Sequence, residues 1–206
     1  MSSHTSTLSS SEGLLRPALV LFTALSLITG LAYPLLVTGI AQTAWPEQAQ
    51  GSMVLRDGKP IGSSLIGQAF TAPGYFWGRP SATGPGPYNA GASSGSNLGP
   101  SNPALIEAVT ARVAALRAAD PGRQGAVPVD LVTASASGLD PHISRAAADY
   151  QLARVARARG IAPGQLQGLL ARHTEGVWMG LLGEPRVNVL TLNLALDKAR
   201  PLPTQP

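Results

Sequence analysis

PALVLFTALSLITGLAYPLLVTGIAQTAWP, residues 17–46, contains no charged side chain; Arg16 precedes it and Glu47 follows it. Thirty residues exceed the roughly 20 that a helix needs to cross the hydrocarbon core of a bilayer. A helix pairs its own backbone polar groups, so it can cross where no water can. Pro17 suits a first helical turn, where its missing N–H costs nothing. Tyr33 and Trp45 suit a membrane interface. Pro34 predicts a kink and leaves residues 35–44 the least certain part of the helix. Ala41 and Ala44 resemble a cleavage site, but a cleaved leader has an apolar core of only about 7–15 residues. A buried soluble helix would show a polar face, and this stretch has none. The stretch therefore reads as a retained span.

The flanking charges are nearly balanced: Glu12 and Arg16 lie before the span, and Glu47, Arg56 and Lys59 beyond it. A short leader, one span and a large following body predict a cytoplasmic amino terminus and an exported body. The expected organisation is a disordered cytoplasmic tail over 1–13, rich in Ser and Thr, and a transmembrane helix over 14–45. An extracytoplasmic domain over 46–200 and a tail over 201–206 complete it. The expected fold class is an α/β (mixed α+β) extracytoplasmic domain preceded by a single N-terminal transmembrane helix.

The 206 residues carry a net charge of +4 and no cysteine. That removes disulfides, zinc–thiolate sites, iron–sulfur clusters and thiol nucleophiles. The basic residues are scattered and not interleaved with aromatics, so nucleic acid is not an expected partner. Within the body, residues 53–55 and 60–66 flank Arg56-Asp57-Gly58-Lys59 and predict a hairpin. Residues 71–103 form a long Gly/Pro/Ser/Asn loop. It holds Tyr75, Phe76 and Trp77, which need burial somewhere, so an ordered loop is expected. Asn102-Pro103 reads as a helix start, with Leu105, Val109, Val113 and Leu116 at helical spacing. Residues 127–135 alternate like a strand through Val127, Val129, Leu131 and Thr133. A second helix is expected over 145–159, with Ala148, Leu152 and Val155 inward, Asp149, Arg154 and Arg157 elsewhere, and Gly160 as its stop. A third runs over 163–173. Residues 177–183, VWMGLLG, suggest a strand. Residues 186–199 fit a strand or a helix, and Asn188 as a cap favours the helix.

DLVTASASGLDPHIS, residues 130–144, gathers Ser, His and Asp and raises the question of a hydrolase. Asp140-Pro141 and Ser144 have the chemistry of helix starts, and no G-x-S-x-G is present. A triad is defined by geometry, which spacing alone does not supply. His142 and His173 have no metal-ligand spacing, and the acidic residues are too dispersed for a hard-cation site. His173 suits a helix end. The segment GASSGSNLGPSN lacks the lysine and pattern of a phosphate loop.

RPALVLFTALSLITGLAYPLLVTGIAQ, YFWGRPSA, SGSNLGPSNPAL, VPVDLVTASASGLDPHIS and GEPRVNVLTLNLALD occur in that order. Together they resemble the C subunit of the Kdp-type potassium-transporting ATPase of bacteria, from Arg16 to Asp197. Arg145 stands where the family suggests proline, and Ser94 where it suggests glycine. The resemblance implies a single-pass inner-membrane protein in a complex. Its implied partners are a channel-like potassium-translocating subunit, an ATP-hydrolysing P-type subunit, a small single-span membrane peptide and the lipid bilayer. It implies no catalysis by this chain, and a catalytic-chaperone role that raises the ATP affinity of the hydrolysing subunit. No tightly bound cofactor is implied; ATP is bound mainly by the partner, and an exported body argues against direct contact. A cap over the potassium entrance is a further expectation. The expected partner contacts are Tyr75, Phe76, Trp77, Arg79, Ser96, Asn97, Asn102, Ser137, Asp140 and His142. The alternatives are a membrane-anchored periplasmic serine hydrolase, using Ser135 or Ser137 with His142, and a periplasmic ligand-binding module.

Overall fold

The computed structural model of the protein describes residues 13–202, which divide between Ser52 and Met53 into two compact units. The expected disordered tail lies, but for Gly13, outside the described residues, as do residues 203–206. The first unit is a continuous 30-residue helix, Leu15–Ala44. It comprises α1 (Leu15–Leu27), a π-helical turn (Ile28–Ala32) and α2 (Tyr33–Ala44), followed by the short α3 (Pro46–Ala49). At 1.5 Å per residue the long helix reaches about 45 Å, enough to cross a hydrocarbon core about 30 Å thick. No residue of α1, α2 or the π turn is buried within the chain. Pro34 has no N–H, and its ring crowds the carbonyl four residues back, on Gly30. The wider π turn before it absorbs that conflict, and the helix then continues through residues 35–44. The hydroxyls of Thr29 and Thr43 donate to the carbonyls of Leu25 (2.7 Å) and Gly39 (2.9 Å), so neither is left unpaired in an apolar surround.

The second unit opens with the hairpin β1 (Met53–Arg56) and β2 (Lys59–Ser63), paired antiparallel. Asp57 and Gly58 both take positive φ, 53° and 74°, as a tight two-residue hairpin turn demands. After the long loop comes α4 (Pro103–Ala119), started by Asn102, whose Oδ1 accepts from the Ala104 N–H at 2.9 Å. Strand β3 (His142–Ser144) leads directly into α5 (Arg145–Arg159). Ser144 Oγ accepts from the Ala147 N–H at 3.0 Å, and Gly160 closes α5 in the left-handed conformation (φ 62°). Helix α6 (Pro163–Arg172) ends at His173, where burial, with Arg172 beside it, holds the imidazole below its ordinary pKa. Strands β4 (Thr174–Glu175) and β5 (Arg186–Asn188) precede α7 (Val189–Ala199). The ambiguity over 186–199 resolves as both: three residues of strand, then a helix whose cap is Asn188, accepting from the Thr191 N–H at 3.1 Å.

The sheet order is β3-β5-β4, all antiparallel, so the fold is mixed α/β with antiparallel pairing throughout its strands. Ile143 and Val187 on the sheet meet Val155, Leu166, Leu170, Leu192 and Leu196 from the helices, and Phe76 from the loop, in one core.

Three expectations need correction. Residues 127–135 are not a strand. Val129–Leu131 form a 3-10 turn in which Leu131, Val132 and Thr133 donate to the carbonyls of Pro128 and Val129. Local bonds thus replace a strand partner, and adjacent Leu131 and Val132 are both buried, which alternation would forbid. Residues 177–183 form a tight turn, held by a single bridge between Trp178 and Leu182. Asp140-Pro141 starts no helix: Asp140 Oδ1 accepts from the His142 N–H at 2.9 Å, an Asx turn leading into β3.

Candidate functional site

The aromatic loop faces inward. Phe76 is fully buried, and Trp77 packs against the core. A loop buried this deeply must pair its backbone groups, and two side-chain amides do so as a neighbouring strand would. Asn193 Oδ1 accepts from the Phe76 N–H and Asn193 Nδ2 donates to the Phe76 carbonyl, both at 2.9 Å. Gln151 Oε1 accepts from the Trp77 N–H at 2.8 Å, and its Nε2 donates to the Trp77 carbonyl at 3.1 Å. Arg154 donates to the carbonyls of Pro73 and Tyr75 and lies 4.2 Å from the Trp77 ring centre. Burial lowers its pKa to about 10. Arg159, its side chain fully buried, donates to the Gly74 carbonyl and to Asp197, and covers the Tyr75 ring at 4.7 Å. The Tyr75 hydroxyl donates to Asp197 at 3.2 Å.

Phe76 therefore offers no side-chain surface to a partner, and Tyr75 and Trp77 spend most of theirs within the domain. Arg154, expected to point away from the core, is 4% exposed. Its reason for turning inward is a set of loop carbonyls about 80 residues earlier in the chain. Sequence reading missed this clamp of Gln151, Arg154, Arg159, Asn193 and Asp197. One signal was present: Asn193 falls in the stripe that carries Leu192 and Leu196 into the core, where an amide requires a hydrogen-bonding partner.

The other expected residues gather on the surface beyond this clamp. Arg79 reaches Asp140 at 3.2 Å and the Ala134 carbonyl at 3.3 Å. Burial raises the Asp140 pKa, but hydrogen bonds from His142 and Arg79 outweigh it and hold the carboxyl below its ordinary value. His142 Nδ1 lies 3.5 Å from Asp140 and Nε2 lies 3.9 Å from Glu175, which is paired with Arg186 at 2.8 Å. Arg79, Asp140, His142 and Arg186 line a cleft of about 570 Å³ together with Val129 and Trp178. Beside it, the Ser137 carbonyl accepts from Ser93 Oγ (3.1 Å) and the Ser94 N–H (3.0 Å), tying the Ser/Asn loop to residues 135–139. Gly138 allows that approach: its φ is 67°, and an added Cβ would lie 2.7 Å from the Ser94 carbonyl oxygen. Ser81 Oγ donates to the Gly138 carbonyl at 2.7 Å, and the Tyr88 hydroxyl donates to the Arg79 carbonyl at 2.6 Å. Burial pushes the Tyr88 pKa up to about 12. Ser96 and Asn97 stand exposed on their loop, and Asn102 is spent on capping α4.

This arrangement is a hydrogen-bonded polar edge. Both nitrogens of His142 face carboxylates, while Ser137 Oγ accepts from the Leu139 N–H at 3.1 Å. That is not the relation of a nucleophile to its base. Among the described residues no three His, Asp or Glu side chains converge as metal ligands would.

A family model described as K+-transporting ATPase, c chain (KdpC), matches residues 15–198. The chain is 69% identical to the potassium-transporting ATPase KdpC subunit of Polaromonas naphthalenivorans, over 93% of this chain and 97% of the relative. It is 66% identical to that of Methylibium petroleiphilum, over 91% and 98%, and 67% identical to that of Variovorax paradoxus, over 90% and 96%. Apolar helix and folded body are matched together, and the chain belongs to the KdpC family, the c chain of the K+-transporting ATPase.

Proposed function

We propose that the chain is a non-catalytic subunit that holds the potassium-transporting complex together, caps its potassium entrance and raises the ATP affinity of the hydrolysing subunit. The observation that carries this reading is the family match through span and body alike, residues 15–198. The relatives are named as subunits of a potassium-transporting ATPase. The partners in this reading are the channel-like subunit, the P-type ATP-hydrolysing subunit and the small single-span peptide. The helix Leu15–Ala44 crosses the inner membrane with its amino terminus in the cytoplasm, and residues 53–202 lie outside. The edge formed by Ser96, Asn97, Ser137, Arg79, Asp140 and His142 docks on the channel-like subunit. Small hydrogen-bonding side chains on a firmly tied backbone suit a polar vestibule, because they neither trap a cation nor repel it.

A body outside the membrane cannot touch ATP in the cytoplasm, so in this reading ATP is bound mainly by the hydrolysing subunit. The effect on ATP affinity then passes through the span, which must bind two states of the pump unequally. The hydrolase alternative is weakened because the second nitrogen of His142, Nε2, faces Glu175 and not a serine hydroxyl, while Ser137 Oγ accepts from the Leu139 N–H.

The test is the ATP dependence of potassium-stimulated hydrolysis by the purified complex, with this chain present and with it removed. Removal is expected to raise the KM for ATP by about five-fold or more, the usual size of a coupling between sites. An unchanged KM removes the chaperone role and leaves only assembly, read from whether the two large subunits still copurify.

A further inference from the structure

Residues 177–183, Val-Trp-Met-Gly-Leu-Leu-Gly, form the turn that joins β4 to β5 and contain no charge. Trp178 is 65% exposed, Met179 75%, Leu181 85% and Leu182 60%. Elsewhere in the second unit the exposed large apolar residues are separated in sequence, such as Leu65, Ile106 and Val129. Single residues of that kind are ordinary on a soluble surface, whereas four within five positions are not.

The backbone of the turn is closed on itself. Trp178 and Leu182 exchange N–H···O bonds at 2.9 and 3.0 Å, the Leu181 N–H donates to the Trp178 carbonyl at 3.1 Å, and the Gly180 N–H to the Val177 carbonyl at 3.3 Å. Met179 and Gly180 take positive φ, 51° and 73°, which makes the compact turn. Four of the seven N–H groups of the turn, those of Trp178, Gly180, Leu181 and Leu182, are thereby paired within it, which lowers the cost of entering an apolar medium. Tryptophan at the head of an apolar cluster is the side chain best suited to a membrane–water boundary. Charge returns only at the base, where Arg186 and Glu175 pair and Glu184 flanks them. Residues 45–52 are all that separates the end of the apolar helix from β1, and eight residues reach at most about 30 Å. A body tethered by so short a connection stays close to whatever bilayer the helix crosses.

We propose that residues 177–183 are a lipid anchor, whose Trp178, Met179, Leu181 and Leu182 side chains enter the interfacial layer of the bilayer in which the chain is held. The anchor is a second point of attachment that restrains the body against the membrane surface, as shallow apolar insertions do for peripheral proteins. It holds for either orientation of the chain and does not rest on the proposed cap.

The chain has no cysteine, so Leu181→Cys in the full-length protein takes a single environment-sensitive fluorophore. Ala118→Cys, an exposed position on α4, takes the same fluorophore for comparison. Both proteins are reconstituted in phosphatidylcholine–phosphatidylglycerol vesicles, with and without a nitroxide on the lipid acyl chains. The expected result at 181 is blue-shifted emission that loses most of its intensity to the nitroxide, with little loss at 118. Equal quenching at the two positions, or water-like emission at 181, overturns the proposal. So does a blue shift at 181 that the nitroxide does not quench, which would place the turn in a protein pocket.

Discussion

Asp197→Ala is expected to lower the melting temperature of the folded body by about 6–12 °C. Asp197 accepts from Arg56 at 2.8 Å, Arg159 at 2.9 Å and Tyr75 at 3.2 Å. The Arg159 side chain is fully buried, and its other partners are the neutral carbonyls of Gly74 and Arg200. Removing the carboxylate strands that cation away from water. The cost of breaking a buried pair is about 3 kcal/mol, at the low end because Asp197 is itself partly exposed. In a domain of this size each kcal/mol moves the midpoint by about 2–4 °C. Asp197→Asn keeps an acceptor and is expected to lose less.

The same residue sets a pH dependence. Burial raises the Asp197 pKa, but hydrogen bonds from Arg56, Arg159 and Tyr75 outweigh it and hold the carboxyl below its ordinary value. A folded-state pKa below the unfolded one contributes stability that is complete above about pH 4 and is lost as pH falls through the lowered folded value. Asp140 acts in the same direction. Thermal melts between pH 7 and pH 3 should show the native body losing stability at the acid end and the Asp197→Ala variant losing less of it.

Phe76→Ala is expected to cost about 3–5 kcal/mol, because it empties a fully enclosed aromatic site. Denaturant titration of the native and variant proteins checks it. Part of the loss should appear as exposure of Trp77, since Asn193 and Gln151 hold adjacent peptides of one loop and a slackened Phe76 peptide frees the next. Phe76→Leu should recover most of the loss. Trp178→Ala is the contrast: a larger ring, 65% exposed, whose removal should change stability by less than about 0.5 kcal/mol. The two aromatics differ in what surrounds them, which residue type does not reveal.

Elements with their signals inside them were legible before the fold was seen. The uncharged run of residues 17–46 needs no partner to declare its length. Asn102, Ser144 and Asn188 cap α4, α5 and α7 through bonds spanning two or three residues, and Gly160 ends α5 by its own backbone. Features that depend on distant chain were not legible. Residues 127–135 alternate like a strand, yet among the described residues no strand pairs with them, and local bonds make a 3-10 turn at Val129–Leu131. Arg154 looks like a surface residue of α5 until the carbonyls of Pro73 and Tyr75 arrive from the loop. Residues 177–183 are as apolar as a buried strand, and only the structure shows that they stand in the open. At the candidate site, Arg79 lies beside Asp140 and Asp140 beside His142, a grouping that spacing in the sequence did not specify. The role of Tyr75, Phe76 and Trp77 as interior fastenings depends on α5 and α7 and could not be read from the loop alone.

Ser96 sits exposed on the loop fastened to residues 135–139 and offers the most direct measurement of the central claim. A photoreactive residue at this position, activated in intact membranes with the native complex present, should crosslink to the potassium-translocating channel-like subunit on its extracytoplasmic face. Crosslinks to cytoplasmic proteins, or to neither large subunit, would contradict the account.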